Sequence, residues 1–199
     1  MGLIVSTGRE VPDVPDGVPR LDGAGFVLRE LGAADLPALR AGLADPDVSR
    51  WHGGAALDVA AVDEQWLARR NDRSDGTHLS WAIADPAGDL LGSVSLHHID
   101  SDQGDAEVGY WLARQARGRG YATAAVGLAG RYGFGPLGLR RIFLHHAVGN
   151  AASCRVATAA GYLLEGTLRQ SHRYADGQVH DEHVHGRLAT DPPSAPPAR

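Results

Sequence analysis

The run Tyr110-Trp111-Leu112-Ala113-Arg114-Gln115-Ala116-Arg117-Gly118-Arg119-Gly120-Tyr121-Ala122 reads as a strand that passes through a glycine-rich loop straight into a helix. Successive N–H groups of such a loop, together with the unpaired donors and positive dipole end of the helix, converge on one spot and can hold a pyrophosphate. Gly118 and Gly120 permit close approach, Arg117 and Arg119 add charge for phosphate oxygens, and small Ala122, Ala124 and Ala125 let a ligand lie along the helix. The Lys-Ser/Thr ending of a P-loop is missing, and so is the third glycine of a dinucleotide fingerprint. An ordinary glycine turn is the plain alternative.

A second polar constellation follows at Asn150-Ala151-Ala152-Ser153, where Asn150 offers a donor and an acceptor in one short amide and Ser153 sits one helical turn away. A simple helix cap is compatible with that reading. The 10 histidines invite a metal. However, the pairs His97-His98 and His145-His146 place neighbours on opposite sheet faces. His183 and His185 do share a face, with His180 close by, but no matching carboxylate spacing supports zinc, and no metal is expected. Cys154 reads as small filler beside the motif.

These residues need a scaffold, and hydrophobic period supplies one. Strands are expected over Phe26 to Leu31, His78 to Ala84, Leu90 to Ile99, Glu107 to Leu112, Arg141 to Val148, Tyr162 to Tyr174 and Val179 to Leu188. Helices are expected over Asp35 to Leu43, Asp58 to Arg70, Tyr121 to Phe134 and Asn150 to Ala160, the last ended by Gly161. The Tyr121 to Phe134 helix is poor in large residues, so its close neighbour should be backbone or ligand. The strand–helix–strand passage at 107–148 favours a parallel crossover in a mixed sheet, making the fold class α/β or α+β. Residues 1–25 read as a leading arm, 26–189 as one domain, and 190–199 as a proline-rich disordered tail.

Composition narrows the partners. A chain of 199 residues with 43% hydrophobic content suits one domain. Its net charge of −5 gives no basic field for nucleic acid, whereas a cationic or amine-bearing ligand suits it. One cysteine fits a reducing compartment such as the cytoplasm. No signal peptide is expected, and no run approaches the about 20 apolar residues of a membrane span.

Gln115, Gly118 and Gly120 match the coenzyme A loop Gln/Arg-x-x-Gly-x-Gly/Ala, and here the chain resembles the GNAT superfamily of N-acetyltransferases. The stretch from Asn150 to Tyr162 resembles the Asn-x-x-Ser-x-x-Val-x-x-x-x-Gly-Phe segment of its RimJ/RimL-like branch, and Glu107 to Leu112, Gly138 to Arg141 and Glu165 to Arg169 agree with it. The resemblance implies a six- or seven-stranded sheet, flanked by about four helices and splayed between its fourth and fifth strands. The pantetheine arm of acetyl-CoA would enter that splay and pair with the backbone of Tyr110, Trp111 and Leu112. Gln115 to Ala122, including Tyr121, would cradle the pyrophosphate, and Asn150 would bond the pantetheine amides. The implied catalytic pair is Glu107, a base working through water, and Ser153, a donor toward the leaving thiolate. A backbone N–H near Leu112 would meet the oxyanion. The position of the family's tyrosine acid is Ala157, which excludes a phenol there. Trp51, Trp66 and Trp81 are expected near the acceptor pocket, with buried core as the alternative.

The implied reaction is direct acetyl transfer from acetyl-CoA to a primary amine, such as a ribosomal protein terminus. Antibiotics, polyamines or other small amines are alternative acceptors, and succinyl-CoA an alternative donor. A homodimer is implied by the final strands of relatives. The rival from another class is a CoA-binding regulatory module without turnover.

Overall fold

The computed structural model describes residues 17–51 and 58–192. The expected arm up to residue 16 and the tail from 193 lie outside the described residues. The sheet begins before Phe26: β1 (Leu21–Gly23) turns through Gly25 and pairs antiparallel with β2 (Phe26–Arg29). The Trp81 indole donates to the Pro19 carbonyl at 3.0 Å, anchoring the chain ahead of β1.

Helix α1 (Leu36–Leu43) is followed by the short α2 (Pro46–Ser49). The helix expected over Asp58 to Arg70 is broken in two. Asp58 accepts from the Ala60 amide to start a single 3-10 turn, and Asp63 then accepts from the Trp66 amide at 2.8 Å to start α3 (Glu64–Asn71). A second capping carboxylate inside the apolar pattern restarts the helix at that point.

The remaining elements are β3 (His78–Ala84), β4 (Leu90–Asp100), β5 (Asp105–Leu112), α4 (Tyr121–Phe134), β6 (Arg141–Ala147), α5 (Ala151–Ala159), β7 (Leu163–Arg173) and β8 (Val179–Leu188). Among the described residues the strands form one eight-stranded sheet in the order β1-β2-β3-β4-β5-β6-β8-β7, one more than the upper expectation because of β1. Among the described residues five α-helices stand against the expected four, the addition being α2. None is long and apolar enough to cross a membrane, among the described residues.

Two apolar layers sandwich the sheet. On one face Val94, Leu96, Ala106, Val108, Ile142 and Leu144 meet α4 through Ala125, Val126, Ala129 and Tyr132. On the other, Leu36, Leu39 and Leu43 of α1 pack with Leu67 of α3 over Ala82 and Leu90. The small residues of α4 serve this packing. A Cβ on Gly133 would stand 2.7 Å from Ile142 Cδ1 and one on Gly130 3.0 Å from Tyr162 Oη, so side chains of the sheet layer, rather than backbone or ligand, are the close neighbours there.

The feature that positions a site lies between β5 and β6. They pair in parallel only at Asp105↔Arg141, Ala106↔Ile142 and Glu107↔Phe143, while β6 continues beside β8 to Ala147↔Glu182. From Val108 onward β5 is therefore bonded on its β4 side alone, and a wedge opens toward the start of α4.

Candidate active site

The loop after β5 makes a 3-10 turn at Arg114–Ala116 and then enters α4. Gly118 and Gly120 adopt φ of 74° and 78°, the left-handed region that favours glycine. A Cβ at either would meet no protein atom within 4 Å among the described residues, so within the protein it is the conformation that calls for glycine. The N–H groups of Gly118, Arg119, Gly120, Tyr121 and Ala122 find no acceptor among the described residues, whereas the Arg117 amide is already bonded to the Arg114 carbonyl. Gly120 stands at the N-cap of α4 with no side-chain cap, so the donor row and the helix dipole face one anion position.

The two arginines divide the work. Arg117 is a tether: its guanidinium donates to the Leu112 carbonyl at 3.1 Å and to Asp47 at 2.9 Å, and lies 3.2 Å from Asp45. That fastens the loop to α2 and pairs the Arg117 guanidinium, expected to serve phosphate oxygens, with Asp45 and Asp47. Arg119 is exposed and has no side-chain partner among the described residues. Gln115 is exposed at the loop's entrance.

On the α5 side of the wedge, Asn150 caps α5 by accepting from the Ser153 amide at 3.1 Å, which leaves its amide NH2 as the free donor. The Tyr110 hydroxyl donates to Ser153 Oγ at 3.2 Å. Burial pushes the Tyr110 phenol up, so it stays a donor. A phenol thus reaches Ser153 from β5, although α5 itself carries Ala157 at the family's tyrosine position. Only the Tyr110 backbone was expected to matter. Trp111 points to the opposite face and lies so close over Gly42 of α1 that a Cβ there would clash with its ring.

On that opposite face Glu107 gathers three imidazoles. His145 Nδ1 donates at 3.2 Å, His98 Nδ1 lies at 3.4 Å and His97 Nε2 at 3.6 Å. Burial alone would raise the Glu107 carboxyl, but the hydrogen bonds from His145 and His97 and their charges outweigh it and hold the group well below the usual carboxylate range. Beyond it Glu182, 7% exposed, accepts from Tyr174 Oη and Ser171 Oγ, each at 2.7 Å. Burial first, then Glu182 and more weakly Glu107, push the Tyr174 phenol up. Trp51 stands edge-on to Tyr174 at 5.9 Å and beside His180 at 6.2 Å. The result is an acidic, aromatic wall on this side of the wedge.

Of the three tryptophans expected near an acceptor, Trp51 joins this wall. Trp66 packs with the α1–α3 cluster. Trp81 is wholly buried on the α4 face against Tyr132, a core residue. His145, Tyr174 and Glu182 escaped the sequence reading because strand register brings them together.

His78 borders the same face, bonded to Ser80 Oγ at 2.7 Å. Burial, helped by the charges of Arg70 and His97, lowers its pKa from 6.5 to about 4. The unfolded chain then binds more protons than the folded one between those values, so stability falls as pH drops through that window and is retained above it. His78→Gln should flatten this part of the pH–stability curve, measured by urea titration; an unchanged slope would show that His78 binds protons alike in the folded and unfolded chain.

The family model described as acetyltransferase (GNAT) domain matches residues 26–163. YdaF of Bacillus subtilis (strain 168) is 40% identical over 94 residues, 47% of this chain and 51% of that protein. The ribosomal-protein-serine acetyltransferase of Escherichia coli (strain K12) is 29% identical over 100 residues, 50% of this chain and 55% of that protein. The chain thus spans about half the length of these two relatives. Mycobacterium smegmatis RimJ in complex with CoA-disulfide superposes with a TM-score of 0.77 at 22% identity, covering 85% of each chain, and shares the fold.

Proposed function

The chain belongs to the acetyltransferase (GNAT) domain family, and on that footing we propose that it binds acetyl-CoA in the β5–β6 wedge and transfers the acetyl group directly to a primary amine. The observation that carries this reading is the conjunction of the wedge with the unpaired N–H row from Gly118 to Ala122 at the start of α4. The pyrophosphate sits on that row with Arg119 as its side-chain cation, and Gln115 and Tyr121 flank it. Pantetheine runs between the strands along the backbone of Tyr110 to Leu112, its carbonyl accepting from the Asn150 amide. Acyl transfer then needs a proton taken from the ammonium, support for the oxyanion and a proton for the thiolate. A backbone N–H near Leu112 meets the oxyanion. Ser153, backed by Tyr110, donates toward sulfur.

Glu107, kept ionised, attracts the ammonium and takes its proton through a water. A carboxylate held so low is a weak base alone. Its imidazole contacts matter because they share the proton.

Glu107 and Glu182, with Trp51 and Tyr174, suit a cationic acceptor. The likeness to a ribosomal-protein acetyltransferase supports a protein α-amine. A polyamine or other small amine, and succinyl-CoA as donor, form the second reading, favoured by the same acidic wall. The single cysteine and acidic charge suit the cytoplasm. Dimerisation through the final strands is supported by Leu163, Leu164 and Leu168, 66%, 55% and 42% exposed on the edge strand β7. Light scattering at the monomer mass would end that part of the proposal.

Calorimetric titration with acetyl-CoA and succinyl-CoA, beside thiol release over amines and amino-terminal peptides, tests the function. Binding with acceptor-dependent release is expected; binding without release by any acceptor points to the regulatory module. Gly120→Ala is expected to weaken acetyl-CoA binding. A left-handed alanine costs about 1–2 kcal/mol, a roughly 5–30-fold loss, because the free loop relaxes and pays on binding. An unchanged Kd would place the phosphates elsewhere.

A further inference from the structure

The register of β6 and β8 sets His146 opposite His183 and Leu144 opposite His185, so three imidazoles share the sheet face covered by α5. Cys154 of α5 completes the group: one donor atom from each of His146, Cys154, His183 and His185 lies within 4.8 Å of all the others. Tetrahedral zinc, with nitrogen at 2.0–2.1 Å and sulfur near 2.3 Å, places its donors about 3.3–3.6 Å apart. No pair is more than 4.8 Å apart, little more than about an ångström beyond that spacing, and one pair is already close to it, with His146 Nε2 and His185 Nε2 3.2 Å apart.

Hydrogen-bond accounting points the same way. His146 Nδ1 is 2.8 Å from the Ala147 carbonyl and His185 Nδ1 is 3.3 Å from the Tyr162 carbonyl. A carbonyl only accepts, so both Nδ1 atoms carry the proton and both Nε2 atoms present lone pairs. Those lone pairs face each other in a site where His146 is 4% exposed and His185 0%. His183 Nδ1 is buried beside them without a hydrogen-bond partner. Unanswered acceptors of this kind are costly in a buried position. A third proton on one ring would answer two of them, but burial opposes that charge, and His183 and Cys154 would remain unused.

We propose that His146, Cys154, His183 and His185 form a structural zinc site that fastens α5 to the β6–β8 pair. One thiolate with three imidazoles is a donor set suited to zinc, and two of the rings donate their other N–H to a backbone carbonyl as zinc-bound histidines do. Binding converts the Cys154 thiol to a zinc thiolate and releases its proton to solvent. The ion takes no step in acyl transfer. It fixes the first turn of α5, which carries Asn150 and Ser153. Histidine spacing alone showed no such pattern because the donors come from three separate elements.

The untagged full chain, expressed with zinc and desalted, should retain zinc at a ratio close to unity by mass spectrometry, and a chelator should lower its thermal midpoint. Exchange into cobalt(II) should give the d–d absorption of a tetrahedral site and a thiolate-to-cobalt charge-transfer band. Cys154→Ser should abolish that band, and His185→Asn should abolish the tetrahedral spectrum, with circular dichroism reporting the fold of each. His183→Gln, at a partly exposed position, serves should His185→Asn not fold. Absence of retained zinc together with no cobalt spectrum overturns the proposal. So does a spectrum lacking the thiolate band and indifferent to these variants, which would put the ion at His97, His98 and Glu107.

Discussion

Glu107→Gln is expected to lower kcat by about 10²–10⁴-fold, the range for loss of a positioned acid or base, while acetyl-CoA binding stays as it was. The amide keeps the shape of the carboxylate and can still accept from His145. It removes the negative charge that attracts the ammonium and collects its proton. The KM for a cationic acceptor should therefore rise as kcat falls. A kcat within a few-fold of the parent would show that Glu107 only braces the histidines around it, and would move the base elsewhere on the acidic wall.

Trp81→Ala is expected to act on stability instead. Removing a wholly buried tryptophan costs about 3–5 kcal/mol. In a chain of this size that lowers the thermal midpoint by roughly 6–20 °C. The indole bond to the Pro19 carbonyl goes with it, loosening the chain ahead of β1. Below the transition, KM for the acceptor should not move, since Trp81 lies on the α4 face, away from Glu107. A raised acceptor KM with an unchanged midpoint would return Trp81 to the pocket.

Trp81 also shows where sequence reading ends. Alternation in β3 separates two faces but does not say which meets α4 and which meets α1 and α3. The run from Tyr110 to Ala122 was legible because strand, glycine loop and helix follow one another without a break, so local geometry fixes the donor row. Asn150 and Ser153 were legible for the same reason, lying within one turn of one helix. The contact of Glu107 with His145 depends on the parallel register of β5 and β6, which no local pattern encodes. Tyr174 and Glu182 reach the wall through the β7–β8 ribbon. The strand β1 was missed because Leu21–Gly23 is three residues long within a glycine- and proline-rich stretch. The break between Asp58 and Arg70 was missed because apolar spacing continues across Asp63, whose carboxylate caps a new helix.

Direct transfer within a ternary complex is read from initial rates of CoA thiol release, with acetyl-CoA varied at several fixed concentrations of an amine acceptor. Acceptor-dependent release and reciprocal plots that intersect are expected. Release indifferent to any amine, or parallel plots accompanied by an acetylated protein, would contradict it.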